Sequence, residues 1–332
     1  MKLTISDIAR KAGVSKTTVS RVLNRRPDVD DVTRQKVLEI IEEFNYSPSY
    51  SAKSLSTGKR NLIGLIVPSL SSYFSLEIIH GVAEGLSDTQ YELVLYTTGL
   101  SGYNEQIYLK AIRNDLVDGI IIVLPRDAKE TYLRSTHAIP IIAVDYSGND
   151  IHYPHITVTN IMGAYEGTKY LINLGHNNIG FITGLMDLGC SIDRLEGFTK
   201  AMKEANLKID QSFIGYGDFT RISGKLLAKE WLTQTERPTA IFSSNDEMAL
   251  GVMDVAESLD IKIPDELSLM GFDDINEVRL RKPYLTTIKQ PLFEMGYRAA
   301  TGIINLIDGQ VIQSQKLETE LIIRESCSPP HL

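Results

Sequence analysis

The sequence predicts an α/β protein in which a small all-helical domain precedes two doubly wound parallel sheets. Three observations lead to this prediction. The 332 residues exceed what one compact domain usually holds. Residues 1–60 contain twelve Lys and Arg against seven Asp and Glu, whereas the rest of the chain contains 22 against 35. From residue 61 onward, apolar runs of strand length alternate with helical stretches, so a basic head precedes an acidic α/β body.

The composition argues against several classes of protein. With 43% hydrophobic and 23% charged residues, the chain resembles an average globular protein rather than a disordered or fibrous one. No apolar run approaches the roughly 20 residues of a membrane-spanning helix, and residues 2–13 lack the apolar stretch of a secretory signal. We therefore expect a cytoplasmic protein without membrane contact. Cys190 and Cys327 form no CxxC pair, and we expect neither a metal site nor a cofactor.

Residues 1–46 are predicted to form three helices around one small core. The first has apolar residues at helical spacing and ends at Gly13, where a tight turn is needed. Ser15 is a good N-cap for the second helix, and the third is predicted from Asp30 to Phe44. Two helices joined by a tight glycine turn are typical of a helix-turn-helix domain. A small structural bundle is the alternative that the spacing alone leaves open.

The string TISDIARKAGVSKTTVSRVLN closely resembles the N-terminal signature of the lactose/galactose repressor family (LacI/GalR). The resemblance continues through YSPSYSAKSLSTGK, which is similar to the hinge of that family, and on to the C-terminus. It implies a sequence-specific DNA-binding transcriptional regulator, usually a repressor, that binds a palindromic operator as a homodimer. A carbohydrate-processing enzyme with an added DNA-binding head is the alternative. Because the sequence contains no GxSxG, GxxxxGK[ST] or HExxH motif, we expect no enzymatic activity.

The resemblance also implies which residues contact DNA. Three residues of the second helix would read base edges in the major groove: Lys16, Thr17 and Arg21. Three more would hold phosphates: Ser15, Thr18 and Asn24. Residues 47–60 match the hinge helix and linker of the family, in which Lys53 and Leu55 would enter the minor groove. The operator sequence itself is left open.

The body contains nine apolar runs typical of buried parallel strands: LIGLIVP, YELVLYTT, VDGIIIVLP, IPIIAVDY, ITVTN, NIGFITG, FIGYGDF, TAIFSSND and ELSLMGFDD. This pattern suits two lobes with a ligand cleft at the carboxyl ends of the strands. The resemblance likewise implies a periplasmic-binding-protein-like core over residues 61–332. Its N-lobe would comprise about 61–160 and 291–322, and its C-lobe about 161–290 and 323–330. Dimer contacts would come from residues 74–88, 247–259 and 276–283.

Polar residues at the strand ends predict a small-molecule site in this cleft. Asp and Asn also cap helices, and Asp246 is expected to be a cap rather than a ligand contact. Arg194, Asn245 and Asp273 match positions at which sugar-responsive members of the family hold ligand hydroxyls. Altogether we expect ten residues to contact a sugar or sugar phosphate effector: Ser69, Tyr73, Phe74, Asp145, Asn160, Arg194, Phe219, Asn245, Asp273 and Gln290. Leu188 stands where purine-responsive members have an additional arginine, which argues against a nucleobase. Whether the effector weakens or strengthens operator binding is left open.

Overall fold

The structure is a computed structural model that describes residues 3–23, 26–46, 60–99, 116–125, 139–147 and 153–330. The chain divides into two compact units, Met1–Asn61 and Leu62–Leu332. Asn24 and most of the predicted hinge, with Lys53 and Leu55, lie outside the described residues. Among the helices of the described ranges, none has both the length and the apolar character needed to cross a membrane.

The described residues of the first unit form three helices, as predicted. They are α1 (Ile5–Ala12), α2 (Lys16–Leu23) and α3 (Asp31–Glu43). Gly13 ends α1 with a φ of 70°, a left-handed conformation that glycine adopts without a Cβ penalty. The helices share one apolar core, whose buried members are Ile8, Ala9, Ala12, Val19, Val22, Val29 and Val37.

In the part of the second unit that the structure describes, the strands form two six-stranded sheets. The first is built from β1 (Leu62–Val67), β2 (Glu92–Thr97), β3 (Gly119–Val123), β4 (Ile141–Val144), β5 (His155–Val158) and β11 (Gln315–Leu317). The second is built from β6 (Ile179–Thr183), β7 (Ile214–Tyr216), β8 (Ala240–Ser243), β9 (Ser268–Asp273), β10 (Thr286–Lys289) and β12 (Glu320–Ile322). Their strand orders are β11-β5-β4-β3-β1-β2 and β12-β10-β9-β8-β6-β7. Within the described strands, every pairing is parallel except β10 with β12.

Helices cover both sheets and create their cores. They are α4 (Tyr73–Leu86), α5 (Asn160–Asn173), α6 (Gly189–Glu204), α7 (Arg221–Leu232), α8 (Asp246–Ser258) and α9 (Leu292–Ile307). Helices α4 and α9 pack on the first sheet and with it form the first lobe. Helices α5 and α6 cover one face of the second sheet, α7 and α8 cover the other, and together they form the second lobe.

The chain passes between the two lobes three times. It crosses after β5, after β10 and between β11 and β12. The predicted third crossing near residue 323 is wrong, because Ile322 already pairs with Thr287 in the second sheet. The crossing lies at residues 318–319 instead. The short strands β10, β11 and β12 are absent from the nine predicted runs, since three or four residues of mixed polarity give no periodic signal.

Candidate functional site

The N-terminal end of α2 presents polar side chains on an exposed surface. Ser15 caps the helix, because its Oγ accepts a hydrogen bond from the Thr18 backbone N–H at 3.1 Å. The same Oγ lies 2.9 Å from Thr18 Oγ1. Lys16 and Thr17 follow on the exposed first turn. The predicted cap is confirmed, and the predicted base-reading pair stands at the helix end that enters a major groove first.

Arg21 lies one turn further along the exposed side of α2. Its Nη1 is 3.3 Å from Asp28 Oδ2, and just over half of each side chain is exposed, at 53% and 54%. An ion pair so exposed contributes little free energy. The guanidinium can therefore exchange Asp28 for another acceptor at small cost, as a base contact would require.

A cleft opens at the carboxyl ends of both sheets, where the lobes face each other. It encloses about 410 Å³ of space, part of which is open to solvent. The first lobe contributes Pro68, Ser72, Phe74, Ser75, Leu124 and Asp145. The second lobe contributes Cys190, Arg194, Phe219, Asn245 and Asp273. Six of the ten residues predicted to contact an effector line this cleft: Phe74, Asp145, Arg194, Phe219, Asn245 and Asp273.

Arg194 is the central charge of the cleft, and only 2% of its side chain is exposed. Its Nε donates to Asn160 Oδ1 at 2.9 Å, and its Nη1 donates to the Ser244 carbonyl oxygen at 2.7 Å. Its guanidinium carbon lies 3.8 Å from the centre of the Phe272 ring. The guanidinium is thus fixed in position. Among the described residues, Nη2 has no hydrogen-bond partner, which leaves a buried donor at the cleft.

Two buried carboxylates flank this guanidinium. Asp145 Oδ2 and Asp273 Oδ1 each lie 3.8 Å from an Arg194 terminal nitrogen, too far for a direct hydrogen bond. Burial raises the pKa of Asp145, and it raises the pKa of Asp273 to about 7, with Arg194 opposing the rise in both. Gln290 holds Asp273, since its Nε2 donates to Asp273 Oδ1 at 2.6 Å. An arginine between two carboxylates can bind adjacent hydroxyl groups as donors and acceptors.

Phe219 gives the cleft an aromatic surface. Its ring packs over Gly184, where any Cβ atom would overlap the ring. Asn245 fixes the Phe219 backbone, because its Nδ2 donates to the Phe219 carbonyl oxygen at 3.0 Å. Four lining residues have a positive φ: Leu124 (50°), Asp145 (55°), Phe219 (67°) and Asp273 (122°). Such strained backbone in side-chain-bearing residues concentrates at ligand sites.

The other four predicted effector residues do not line the cleft. Asn160 and Gln290 are buried behind it and hold Arg194 and Asp273. Tyr73 is 39% exposed, and the Ser69 hydroxyl lies 2.8 Å from that of Ser71. Five lining residues were not predicted: Pro68, Ser72, Ser75, Leu124 and Cys190. Burial, with Asp145 nearby, raises the pKa of the Cys190 thiol, so the thiol stays protonated.

The expected role of Asp246 as a helix cap is wrong. Asn245 is the N-cap of α8, because its Oδ1 accepts from the Met248 backbone N–H at 2.9 Å. Asp246 is fully buried, and its carboxylate lies away from the N-terminal backbone of α8. Its carboxylate accepts from the Ile275 backbone N–H at 2.9 Å and from Thr287 Oγ1 at 2.6 Å. It therefore joins α8 to the segment after β9 and to β10.

Comparisons with known proteins find a matching family model in each of the two units. The model of the lacI family of bacterial regulatory proteins matches residues 4–49, and that of a periplasmic binding protein-like domain matches residues 168–327. The ribose operon repressor of Haemophilus influenzae is 33% identical over 97% of this chain and 98% of its own length. The transcriptional repressor PurR of Pasteurella multocida is 36% identical over 97% of this chain and 98% of its own length.

A solved structure shows the same architecture. The lac repressor dimer bound to operator and the anti-inducer ONPF is 26% identical in sequence and superposes with a TM-score of 0.87. The alignment covers 99% of this chain and 100% of the repressor. The full-length likeness to these regulators extends through the helical head and both lobes. The chain therefore belongs to the lacI family of bacterial regulatory proteins.

Proposed function

We propose that this protein represses a carbohydrate-utilisation operon, and that a small sugar in the inter-lobe cleft controls its affinity for operator DNA. The observation that carries the proposal is Arg194, buried between Asp145 and Asp273 with one donor still unpartnered among the described residues. These groups match adjacent sugar hydroxyls, which both donate and accept hydrogen bonds. The Phe219 ring offers an apolar face to the C–H side of a sugar.

The charge balance of the cleft favours a neutral sugar over a sugar phosphate. Asp145 and Asp273 face one guanidinium, so a phosphate brought into the cleft would be repelled by each of them in its ionised form, with little solvent to screen the charge. The ribose operon repressor supports the sugar assignment, since its name connects a near full-length relative with a sugar. Leu188, a buried apolar residue, precedes α6 where a nucleobase site would call for an additional arginine.

DNA recognition is assigned to the head. We propose that Lys16, Thr17 and Arg21 read base edges, while Ser15 and Thr18, with Asn24, hold phosphates. Lys53 and Leu55 would enter the minor groove. As in the operator-bound lac repressor dimer, two copies would act together, with their recognition helices about 34 Å apart on one face of the duplex.

Binding of the sugar and binding of the operator are then thermodynamically linked. A ligand that contacts both lobes favours one lobe arrangement, and only one arrangement can hold two heads at the spacing that a palindrome requires. We expect the sugar to weaken operator binding. The protein acts as a sensor and not as an enzyme, so it returns its ligand chemically unchanged.

Fluorescence anisotropy of the full-length protein on a pool of labelled palindromes with a central CG step tests this function. We expect affinity well above that for random duplex and a steep decrease with salt, because phosphate contacts release counterions. Addition of D-ribose, D-glucose, D-galactose or D-xylose should weaken binding for one sugar and leave it unchanged for the others. NMR of the recovered sugar should show no product. An operator affinity that no sugar alters, or turnover of a sugar, would contradict the proposal.

A further inference from the structure

Ser75 places a buried hydroxyl on the first-lobe side of the cleft. It lies in the first turn of α4, its side chain has no solvent exposure, and it lines the cleft. Among the described residues, its Oγ has no hydrogen-bond partner. A serine in the first turn of a helix often bonds to backbone there, and this one does not.

An unpartnered buried hydroxyl costs folding free energy that an alanine at the same position would not cost. Alanine also has the higher helix propensity. Folding alone therefore gives no reason for a serine at position 75. A ligand that fills the cleft would supply the missing partner, and the hydroxyl would then contribute to binding.

The second lobe offers a matching feature. Arg194 Nη2 is also buried at the cleft and also lacks a partner among the described residues. Arginine can only donate, whereas the serine hydroxyl both donates and accepts. Carboxylates of Asp145 and Asp273 accept on either side. The unpartnered groups of the two lobes thus call for a ligand with several hydroxyls that spans the cleft.

We propose that Ser75 is a specificity-determining residue that hydrogen-bonds one hydroxyl group of the sugar effector from the first lobe. This inference rests on the proposed function of the cleft. The hydroxyl distinguishes the cognate sugar from an analogue that lacks a single hydroxyl group, because the analogue leaves Ser75 unpartnered. It also ties the sugar to the first lobe while Arg194 ties it to the second, so recognition and lobe arrangement depend on the same contact.

Isothermal titration calorimetry of the full-length protein tests the inference. The wild type, Ser75→Ala and Ser191→Ala are each titrated with D-ribose, D-xylose, D-glucose and D-galactose, and then with the monodeoxy analogues of whichever sugar binds. Ser191 is the matched control, because it is a buried helical serine with an unpartnered hydroxyl that does not line the cleft.

We expect Ser75→Ala to weaken binding of the cognate sugar about tenfold, and Ser191→Ala to leave it unchanged. The monodeoxy analogue that lacks the hydroxyl group bound by Ser75 should bind to the wild type and to Ser75→Ala equally, because it cannot make this contact with either protein. Without sugar, both variants should melt at or above the wild-type temperature, which separates a ligand contact from a structural role.

Three results would overturn the inference. The first is cognate-sugar affinity in Ser75→Ala equal to that of the wild type, which would leave the proposed function intact. The second is a lower melting temperature of Ser75→Ala without sugar, which would assign the hydroxyl to folding. The third is a wild type that binds none of the four sugars, which would reject the proposed function together with the inference.

Discussion

Asp273 carries a charge that changes near neutral pH. Burial raises its pKa to about 7 in the folded protein, against 3.8 for an ordinary aspartate. The folded state therefore holds a proton that the unfolded state has already lost between these two values. The contribution of Asp273 to the free energy of unfolding is therefore greatest at low pH. It falls as the pH rises through the folded pKa and is constant above it.

Asp273→Asn should remove this part of the pH dependence. Between pH 6 and pH 8, we expect Asp273 to lower the wild-type free energy of unfolding by roughly 1 kcal/mol, because the folded protein loses the Asp273 proton in this range. Asparagine keeps an Oδ1 that can accept from Gln290 and carries no proton to lose. Urea denaturation at pH 6, 7 and 8 measures the difference, and identical pH profiles for both proteins would contradict the assignment.

Arg21→Ala should relax operator specificity rather than abolish DNA binding. The exposed pair with Asp28 contributes little to the fold, so the truncation should leave the melting temperature of the head nearly unchanged. Loss of a bidentate contact with guanine should cost about 1–3 kcal/mol of discrimination against a substituted base pair. Anisotropy on an operator and on single-base variants measures this. Thr18→Ala, which would remove the proposed phosphate contact, should instead weaken binding to all DNA sequences by similar factors.

At the residue scale, the charged residues at the centre of the cleft were easier to predict from the sequence than the other residues that line it. Arg194, Asp145 and Asp273 line the cleft, as do three other predicted residues. Ser72 and Ser75 were missed, because a serine at the start of a helix has the same appearance whether it caps the helix or faces a ligand. Asn160 and Gln290 were predicted as contacts, but they are buried and hydrogen-bond Arg194 and Asp273. Distinguishing a contact from its support requires side-chain geometry.

At the element scale, long periodic segments were predictable and short ones were not. The three head helices and the first nine strands lie where apolar spacing placed them. Strands β10–β12 have three or four residues each, and their pairing is decided by neighbours distant in sequence. Thr287, for example, pairs with Ile322. The third crossing was misplaced for this reason.

The turn after β6 supports the aromatic surface of the cleft, and Gly184→Ala tests this support. A methyl group at 184 would overlap the Phe219 ring and force it out of position. We expect sugar affinity to fall about tenfold, a loss of about 1.4 kcal/mol, measured by calorimetry. Gly64→Ala in β1 is the control, because its new methyl group would meet its nearest neighbour, Tyr96 Cε2, at an ordinary 3.4 Å. Equal affinity in both variants would mean that the ring does not contact the sugar.

At the scale of the whole molecule, a hydrogen bond between two exposed side chains joins the lobes. Asn276, in a 3-10 helix over Asn276–Arg279, donates through Nδ2 to Glu77 Oε1 of α4 at 2.8 Å. Its two groups come from different lobes, so any separation of the lobes there must break it. We therefore expect the lobe arrangement, and with it the affinity for a sugar, to depend on the charge at position 276.

Asn276→Asp should favour lobe separation, because it places a second carboxylate against Glu77. We expect sugar affinity to fall about threefold at low ionic strength and to recover in 0.5 M salt, since exposed charges are screened. Asn276→Ala removes the hydrogen bond without adding charge, so its smaller effect should not depend on salt. Calorimetry at two salt concentrations measures both. A salt-independent loss in Asn276→Asp would show that repulsion is not the cause.

The three crossings between the lobes also affect synthesis of the chain. The first lobe begins with β1 near residue 62, yet its core needs Met295, Ala299 and Ile303 from α9, and β11 completes its sheet only at residue 317. A ribosome adding about 5–20 residues per second takes roughly 10–45 s to travel from α4 to the end of α9. Throughout that time, the side of α4 that α9 covers in the folded protein stays exposed on the nascent chain. Chaperones that hold exposed apolar segments should therefore engage this protein during translation, and a message truncated before residue 292 should yield no stable first lobe.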